Sequence, residues 1–189
     1  AAWGIPYVIT LHSTEWGRNG NNFSSEGVPR EVAHREWLSG YESAMVITTT
    51  QRMKDELMML YQIPGEKIEI IPNGLIIGSF RRSVDPGRVK ERYGVHPLAP
   101  VVLFCGRMNY QKGPCILVEA IPHVLARHWD AKFVFIGEGD MRWECERRAR
   151  ELGVDRSCIF LGYTPSNVKE EWMNACDMIC LPSRNEPFG

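Results

Sequence analysis

Apolar positions along this chain follow two rhythms, and the rhythms alternate. Residues 5–11 (IPYVITL), 44–48 (AMVIT) and 68–71 (IEII) are short β-branched runs bounded by turn or helix signals, which predicts strands. Between the first two lies a loop rich in Gly, Asn and Ser over residues 13–30, then a helical pattern from about Glu31 to Tyr41. Between the second and third, Met53, Leu57, Leu60 and Tyr61 recur at helical spacing behind a Thr-rich cap. Residues 72–100 change character: Asn73-Gly74 marks a turn, Asp85-Pro86 caps a short helix, and Pro97 and Pro100 interrupt regular structure. A second series follows, with strands over 101–105, 132–136, 158–161 and 178–181. Helices separate them over about 113–127, 141–152 and 165–176.

Alternation of this kind requires parallel strands joined by crossover helices, and strands that are apolar throughout suit a sheet covered on both faces. The pattern predicts an α/β chain of two Rossmann-like domains, 1–76 and 77–189. The first is expected to lack its beginning and the second its end. Residues 1–5 carry neither an initiator methionine nor the basic flank of a signal peptide and run straight into a strand, so an internal fragment is expected.

Composition narrows the function classes. With 189 residues, 44% hydrophobic and 24% charged, the chain is a folded globular protein rather than a disordered or fibrous one. Its net charge is −1 and no basic block occurs, which argues against nucleic acid as a partner. No apolar run approaches the roughly 20 residues of a membrane-spanning helix. The six cysteines show neither a Cys-x-x-Cys pair nor neighbouring histidines, which leaves a metal site unsupported. Reduced, buried thiols in a cytoplasmic protein are the simpler expectation.

In open α/β sheets, ligands bind beyond the carboxyl ends of the strands. After strand 101–105 stand Gly106, Arg107, Lys112, Gly113 and Pro114, two cations flanking a helix start. Free N–H groups there favour an anion, and Arg plus Lys add charge-assisted bonds to a diphosphate. Taken alone, two solvated loop cations are the better description, because basic residues are common in loops. Gly137-Glu138-Gly139 after strand 132–136 lacks the third glycine of the dinucleotide fingerprint, and predicts a turn that a ligand approaches closely. Gly162-Tyr163 offers backbone on which a nucleobase rests, and Glu186 brings a carboxylate after strand 178–181. His12 follows the first strand, where a lone histidine is more often structural. None of the six aspartates forms an Asp-x-Asp pair, so charge on a leaving diphosphate falls to protein cations rather than to a carboxylate-held metal.

Seven segments in order carry a family resemblance: Thr10-Leu11-His12-Ser13, Ile71-Pro72-Asn73-Gly74 with Phe80, Gly106-Arg107-x4-Lys112-Gly113, Gly137-x-Gly139-x-x-Arg142, Leu161-Gly162, Ala175-Cys176-Asp177, and Pro182-Ser183-x-x-Glu186-Pro187-Phe188-Gly189. In this order the chain resembles retaining family-4 glycosyltransferases of GT-B architecture, the group that includes bacterial glycogen and starch synthases. The resemblance implies transfer of a hexosyl group, expected to be glucose, from a nucleotide sugar such as UDP-glucose or ADP-glucose to a glycan, expected to be an α-glucan. The donor is a substrate and no cofactor or metal is implied.

The resemblance also assigns residues. Arg107 and Lys112 would bind the diphosphate, Glu186 the transferred sugar, and His12 the same sugar from the opposite domain. Gly106, Gly137, Gly139, Gly162 and Tyr163 would line the donor site. Glu15, Trp16 and Arg18 are weaker candidates for the acceptor, with Trp16 as an apolar platform or as a partly buried residue of a capping loop. Two departures stand out. Ile76 occupies a position that is often acidic in the family, and Glu186 opens a Glu-x7-Glu motif whose second glutamate lies beyond residue 189. A fragment of this kind is expected to turn over little by itself. A sugar-nucleotide epimerase, a phosphorylase, or a non-catalytic nucleotide-binding relative on the same fold is the alternative.

Overall fold

A computed structural model describes residues 4–23, 26–74 and 83–186. The chain divides into two compact units, Ala1–Leu75 with Asn185–Gly189, and Ile76–Arg184. Ile76 and Phe80, and the Pro187-Phe188-Gly189 end of the last motif, lie outside the described residues.

In the first unit the order is β1 (Val8–Thr10), α1 (Glu15–Arg18), α2 (Gly27–Glu42), β2 (Met45–Thr48), α3 (Gln51–Tyr61) and β3 (Ile68–Ile70). The strands pair in parallel in the order β1-β2-β3. Leu11, Val46, Leu57, Tyr61, Ile63 and Ile68 form its core. Thr50 starts α3 by accepting a hydrogen bond from Met53 N at 3.2 Å, and Gln62 ends it in the left-handed region at φ 53°. Two expectations shift here. The stretch 13–30 is not all loop: Thr14 caps α1, and α2 begins at Gly27, four residues before the periodic pattern. Pro29 sits in the first turn of α2, where its missing N–H costs nothing.

The second unit runs α4 (Pro86–Arg92), β4 (Val101–Cys105), α5 (Pro114–Leu125), β5 (Lys132–Ile136), α6 (Arg142–Glu151), β6 (Cys158–Gly162), α7 (Ser166–Ala175) and β7 (Met178–Ile179). All four strands are parallel, in the order β6-β5-β4-β7, so β4 lies inside the sheet. Alternate residues feed opposite faces, as the strand period of two demands. Phe104, Phe133 and Phe135 pack with Leu117, Val118, Ile121 and Cys145 under α5 and α6. Val101, Leu103, Val134 and Ile136 pack with Val89 and Trp172 under α4 and α7. Strand β7 is shorter than the 178–181 run. Only Met178 and Ile179 pair with β4, followed by one further bond from Cys180 N to Leu103 O at 2.8 Å. No helix of the described residues is long and apolar enough to cross a membrane.

Candidate functional site

The loop after β4 is held from three sides. Gly106 N donates to Ile136 O and Met108 N to Glu138 O, both at 2.9 Å, while Met108 O accepts from Met141 N at 2.9 Å. Met108 is 1% exposed and plugs the core beneath. Further on, Asn109 Oδ1 accepts from Lys112 N at 3.0 Å. Arg184 donates to Gln111 O through its backbone (2.8 Å) and to Tyr110 O through Nη1 (2.7 Å), with its guanidinium 4.1 Å from the Tyr110 ring centroid. Gly113 turns the chain into α5 at φ 63°, and a Cβ there would stand 2.4 Å from Pro182 O. The loop thus runs from Arg107 through Lys112 into the N-terminus of α5, opened by Pro114. Arg107 is exposed, and its side chain has no hydrogen bond or ion pair among the described residues. Lys112 is half-buried.

The Gly-x-Gly turn is approached closely by backbone of the neighbouring loop. A Cβ at Gly137 (φ 134°) would lie 1.9 Å from Gly106 O, and one at Gly139 2.2 Å from Met108 O. Those glycines therefore admit the backbone of the β4 loop, which carries Arg107, against the β5 loop.

Between the ends of β4, β5 and β6 opens a cleft of about 580 Å³. Cys105, Gly106, Ile136 and Gly137 contribute to its floor; Arg107, Glu138, Tyr163, Thr164 and Lys169 reach it from the surrounding loops and α7. Glu138 Oε1 accepts from the Arg142 guanidinium and from Tyr163 N, the latter at 3.3 Å. Arg142 also donates from Nε to Glu146 Oε1 at 2.9 Å, and these carboxylates, Glu146 foremost, hold it more firmly protonated. Gly162 leaves room for that pair, since a Cβ there would lie 2.5 Å from Glu138 Oε1. Burial pushes the Cys105 thiol up and the Lys169 charge pulls it partly back. Lys169 and Thr164 carry no motif signal. Only the spacing from Gly162 into the first turns of α7 could have pointed to them.

In the first unit His12 is exposed just past β1. Glu15 and Arg18 are tied into one network. Arg18 Nε donates to Glu15 Oε2 at 2.8 Å, Nη1 to Ser13 Oγ at 2.6 Å and Nη2 to Glu36 Oε1 at 2.5 Å. Glu36 Oε2 also accepts from Glu15 N (2.8 Å) and Tyr61 OH (2.7 Å). The Arg18 side chain and the Glu15 backbone N–H thus fasten α1 onto α2 through Glu36, while the Glu15 carboxylate holds the Arg18 guanidinium from within α1; Trp16 is half-buried. A residue that the sequence reading passed over, Asn185, is 5% exposed. Its Nδ2 donates to Gly17 O and Asn21 Oδ1, both at 3.1 Å, and its Oδ1 accepts from Arg52 at 3.3 Å. These bonds place Asn185, with the half-buried Glu186 beside it, in the first unit although the motif begins in the second. Among the described residues no cluster of His, Cys, Asp and Glu is arranged to hold a metal ion.

Comparison with known proteins places this geometry. Residues 1–77 match the family model described as Glycosyltransferase Family 4, and residues 99–189 the model described as Glycosyl transferases group 1. An uncharacterized glycosyltransferase of Methanocaldococcus jannaschii is 35% identical over 188 residues, covering 98% of this chain and 47% of that protein. The glycogen synthase of Mycobacterium tuberculosis is 29% identical over 188 residues, covering 99% of this chain and 43% of its own length. The chain therefore spans about half the length of these curated relatives. The fold is that of Anabaena HepE, a structure in complex with UDP and glucose, with a TM-score of 0.78, 22% identity, and coverage of 97% of this chain and 48% of that one.

Proposed function

From the premise that this chain belongs to the GT-B glycosyltransferases, with a family 4 segment followed by a group 1 segment, we propose that it forms part of an enzyme transferring a glucosyl group from a nucleotide sugar to an α-glucan, with retention of anomeric configuration. One observation carries the reading most. Arg107 stands exposed at the β4–β6 cleft, without a side-chain partner among the described residues, on a braced loop that runs on into the N-terminus of α5. A cation fixed there has a purpose if an anion arrives.

In the reaction the acceptor hydroxyl forms a bond to the anomeric carbon as the bond from that carbon to the diphosphate oxygen breaks. The acceptor proton leaves and the nucleoside diphosphate departs with the bonding electron pair. Negative charge grows on the leaving oxygen, so Arg107, Lys112 and the positive end of the α5 dipole act most strongly at the transition state. The cleft beyond β4–β6 would hold the nucleoside, with Gly162-Tyr163 at its rim. His12 and Glu186 are assigned to the transferred sugar by the resemblance. A cytoplasmic site of action suits both the supply of nucleotide sugars and the six free cysteines.

The test is a transfer assay of the full-length protein with UDP-glucose and ADP-glucose, with and without glucan, following nucleotide release and product anomer by NMR. Arg107→Ala and Lys112→Ala should each lower transfer about 10²-fold, and Arg107→Ala, an exposed loop substitution, should change stability by less than ~1 kcal/mol. Unchanged transfer in both variants would remove the diphosphate assignment. Conversion of the sugar nucleotide without glucan-dependent release would favour the epimerase instead.

A further inference from the structure

The cleft at the ends of β4–β6 holds polar groups that nothing in the fold uses. Lys169 lines it from α7, is half-buried, and makes no side-chain hydrogen bond or ion pair among the described residues. Glu138, the carboxylate that lines the same cleft, is already engaged by Arg142 and Tyr163 N. On its own helix, Glu171 pairs with Arg92 at 2.6 Å. The charge is felt inside the site, since it acts on the Cys105 thiol at the end of β4. Thr164 lines the same cleft, and its Oγ1 is buried without a hydrogen-bond partner among the described residues. Tyr163, 85% exposed, stands at the rim with its ring uncovered.

We propose that Lys169 reads the nucleobase of the donor and selects uracil over adenine. This rests on the reading above that the cleft receives a nucleotide. The two faces of the sheet divide the ligand between them. Helix α5, whose N-terminus follows Lys112, packs on the Phe104, Phe133 and Phe135 face, whereas α7 packs on the Val101, Leu103 and Trp172 face. A diphosphate drawn to the α5 side leaves the other end of the nucleotide to the α7 side. An ammonium offers three donors and no acceptor. Uracil presents carbonyl acceptors that match it, while adenine turns an amino donor toward the same place. The Thr164 hydroxyl both donates and accepts, so it can serve the N3–H of uracil or a second carbonyl. Tyr163 supplies a stacking surface that every base accepts, and so adds affinity without selectivity.

The experiment is calorimetric titration of the 189-residue chain with UDP, ADP and pyrophosphate, repeated for Lys169→Met, Lys169→Arg and Arg107→Ala. The unaltered chain should bind UDP more tightly than ADP. A charge-assisted bond of ~1.5 kcal/mol corresponds to about tenfold, so Lys169→Met should weaken UDP about tenfold and leave ADP and pyrophosphate unchanged. Lys169→Arg should retain most of the UDP preference, which a merely structural role for the side chain would not require. Arg107→Ala should weaken all three ligands alike. Equal losses for UDP and pyrophosphate in Lys169→Met would make Lys169 a phosphate contact and overturn the proposal. So would unchanged UDP binding, or a preference for ADP in the unaltered chain. Failure of the unaltered chain to bind all three would strike the donor reading itself, and this inference with it.

Discussion

Replacing Gly137 with alanine tests whether the Gly-x-Gly turn exists to seat the Arg107 loop. The new Cβ would start 1.9 Å from Gly106 O, whereas real Cβ contacts are essentially never under 3.0 Å, so the loop must retreat by about 1.1 Å. That retreat strains three backbone hydrogen bonds of 2.9 Å, from Gly106 N, Met108 N and Met141 N. At about 1 kcal/mol each, together with about 1–2 kcal/mol for a non-glycine residue at φ 134°, the cost is about 4 kcal/mol. Gly153 is the control. It also has positive φ, 68°, but a Cβ there meets nothing within 4 Å, so Gly153→Ala should cost only about 1 kcal/mol. Urea unfolding of both variants reads the difference directly. Nucleotide titration reads the consequence for the site, because a shift of ~1 Å in a positioning group can cost ~10²-fold. Equal unfolding curves for the two variants, or full nucleotide affinity in Gly137→Ala, would refute the view that the turn positions the loop.

Other outcomes follow from single contacts. Asp177 accepts from Lys90 Nζ (2.9 Å) and Val101 N (2.8 Å); burial alone would raise its carboxyl, but these bonds overcome that and hold it below its ordinary value. Lys90 is 5% exposed at its side chain and Asp177 57%, so Asp177→Asn should cost about 2 kcal/mol, less than for a fully buried pair. Because the folded carboxyl titrates lower than the unfolded one, this advantage should be constant above about pH 5 and fade as pH falls below about 4, as chemical denaturation across pH will show. Burial pushes the Cys158 thiol up to about 12 and raises Cys145 further, so in iodoacetamide labelling at pH 8 both should react only at the rate of unfolding. Rapid labelling of either in the folded chain would contradict that environment.

Much of the fold was legible because its strands are apolar on both faces and its helices are not. The alternation of Val101, Leu103 and Phe104, and of Phe133, Val134, Phe135 and Ile136, needs helices above and below the sheet and so predicts the parallel order. The region from Ser13 to Arg30 was less legible, because α1 is a single turn made by one cap and one ion-pair network, and neither repeats in the sequence. The short β7 escaped for a related reason: among the described residues it has β4 as its one neighbour, so apolar residues at 180 and 181 do not guarantee pairing.

For the site, the division between legible and illegible falls along a physical line. Motif positions are visible because backbone geometry permits few substitutions there, and the structure shows that several of them serve geometry before chemistry. Gly137 and Gly139 let two loops touch, Gly162 clears the Glu138–Arg142 pair, and Asp177 ties β4 to Lys90. Arg107 differs from these in having no side-chain partner among the described residues, and a charged side chain kept on a braced loop without one is better explained by a ligand than by the fold. Lys169 meets the same criterion and belongs to no motif. A residue that sets which base is accepted has to vary between relatives that use different donors, so its role would not form a family signature. Its position in the cleft, its unspent charge and the unsatisfied Thr164 hydroxyl of the same cleft are visible only once β6 and α7 have folded onto β4.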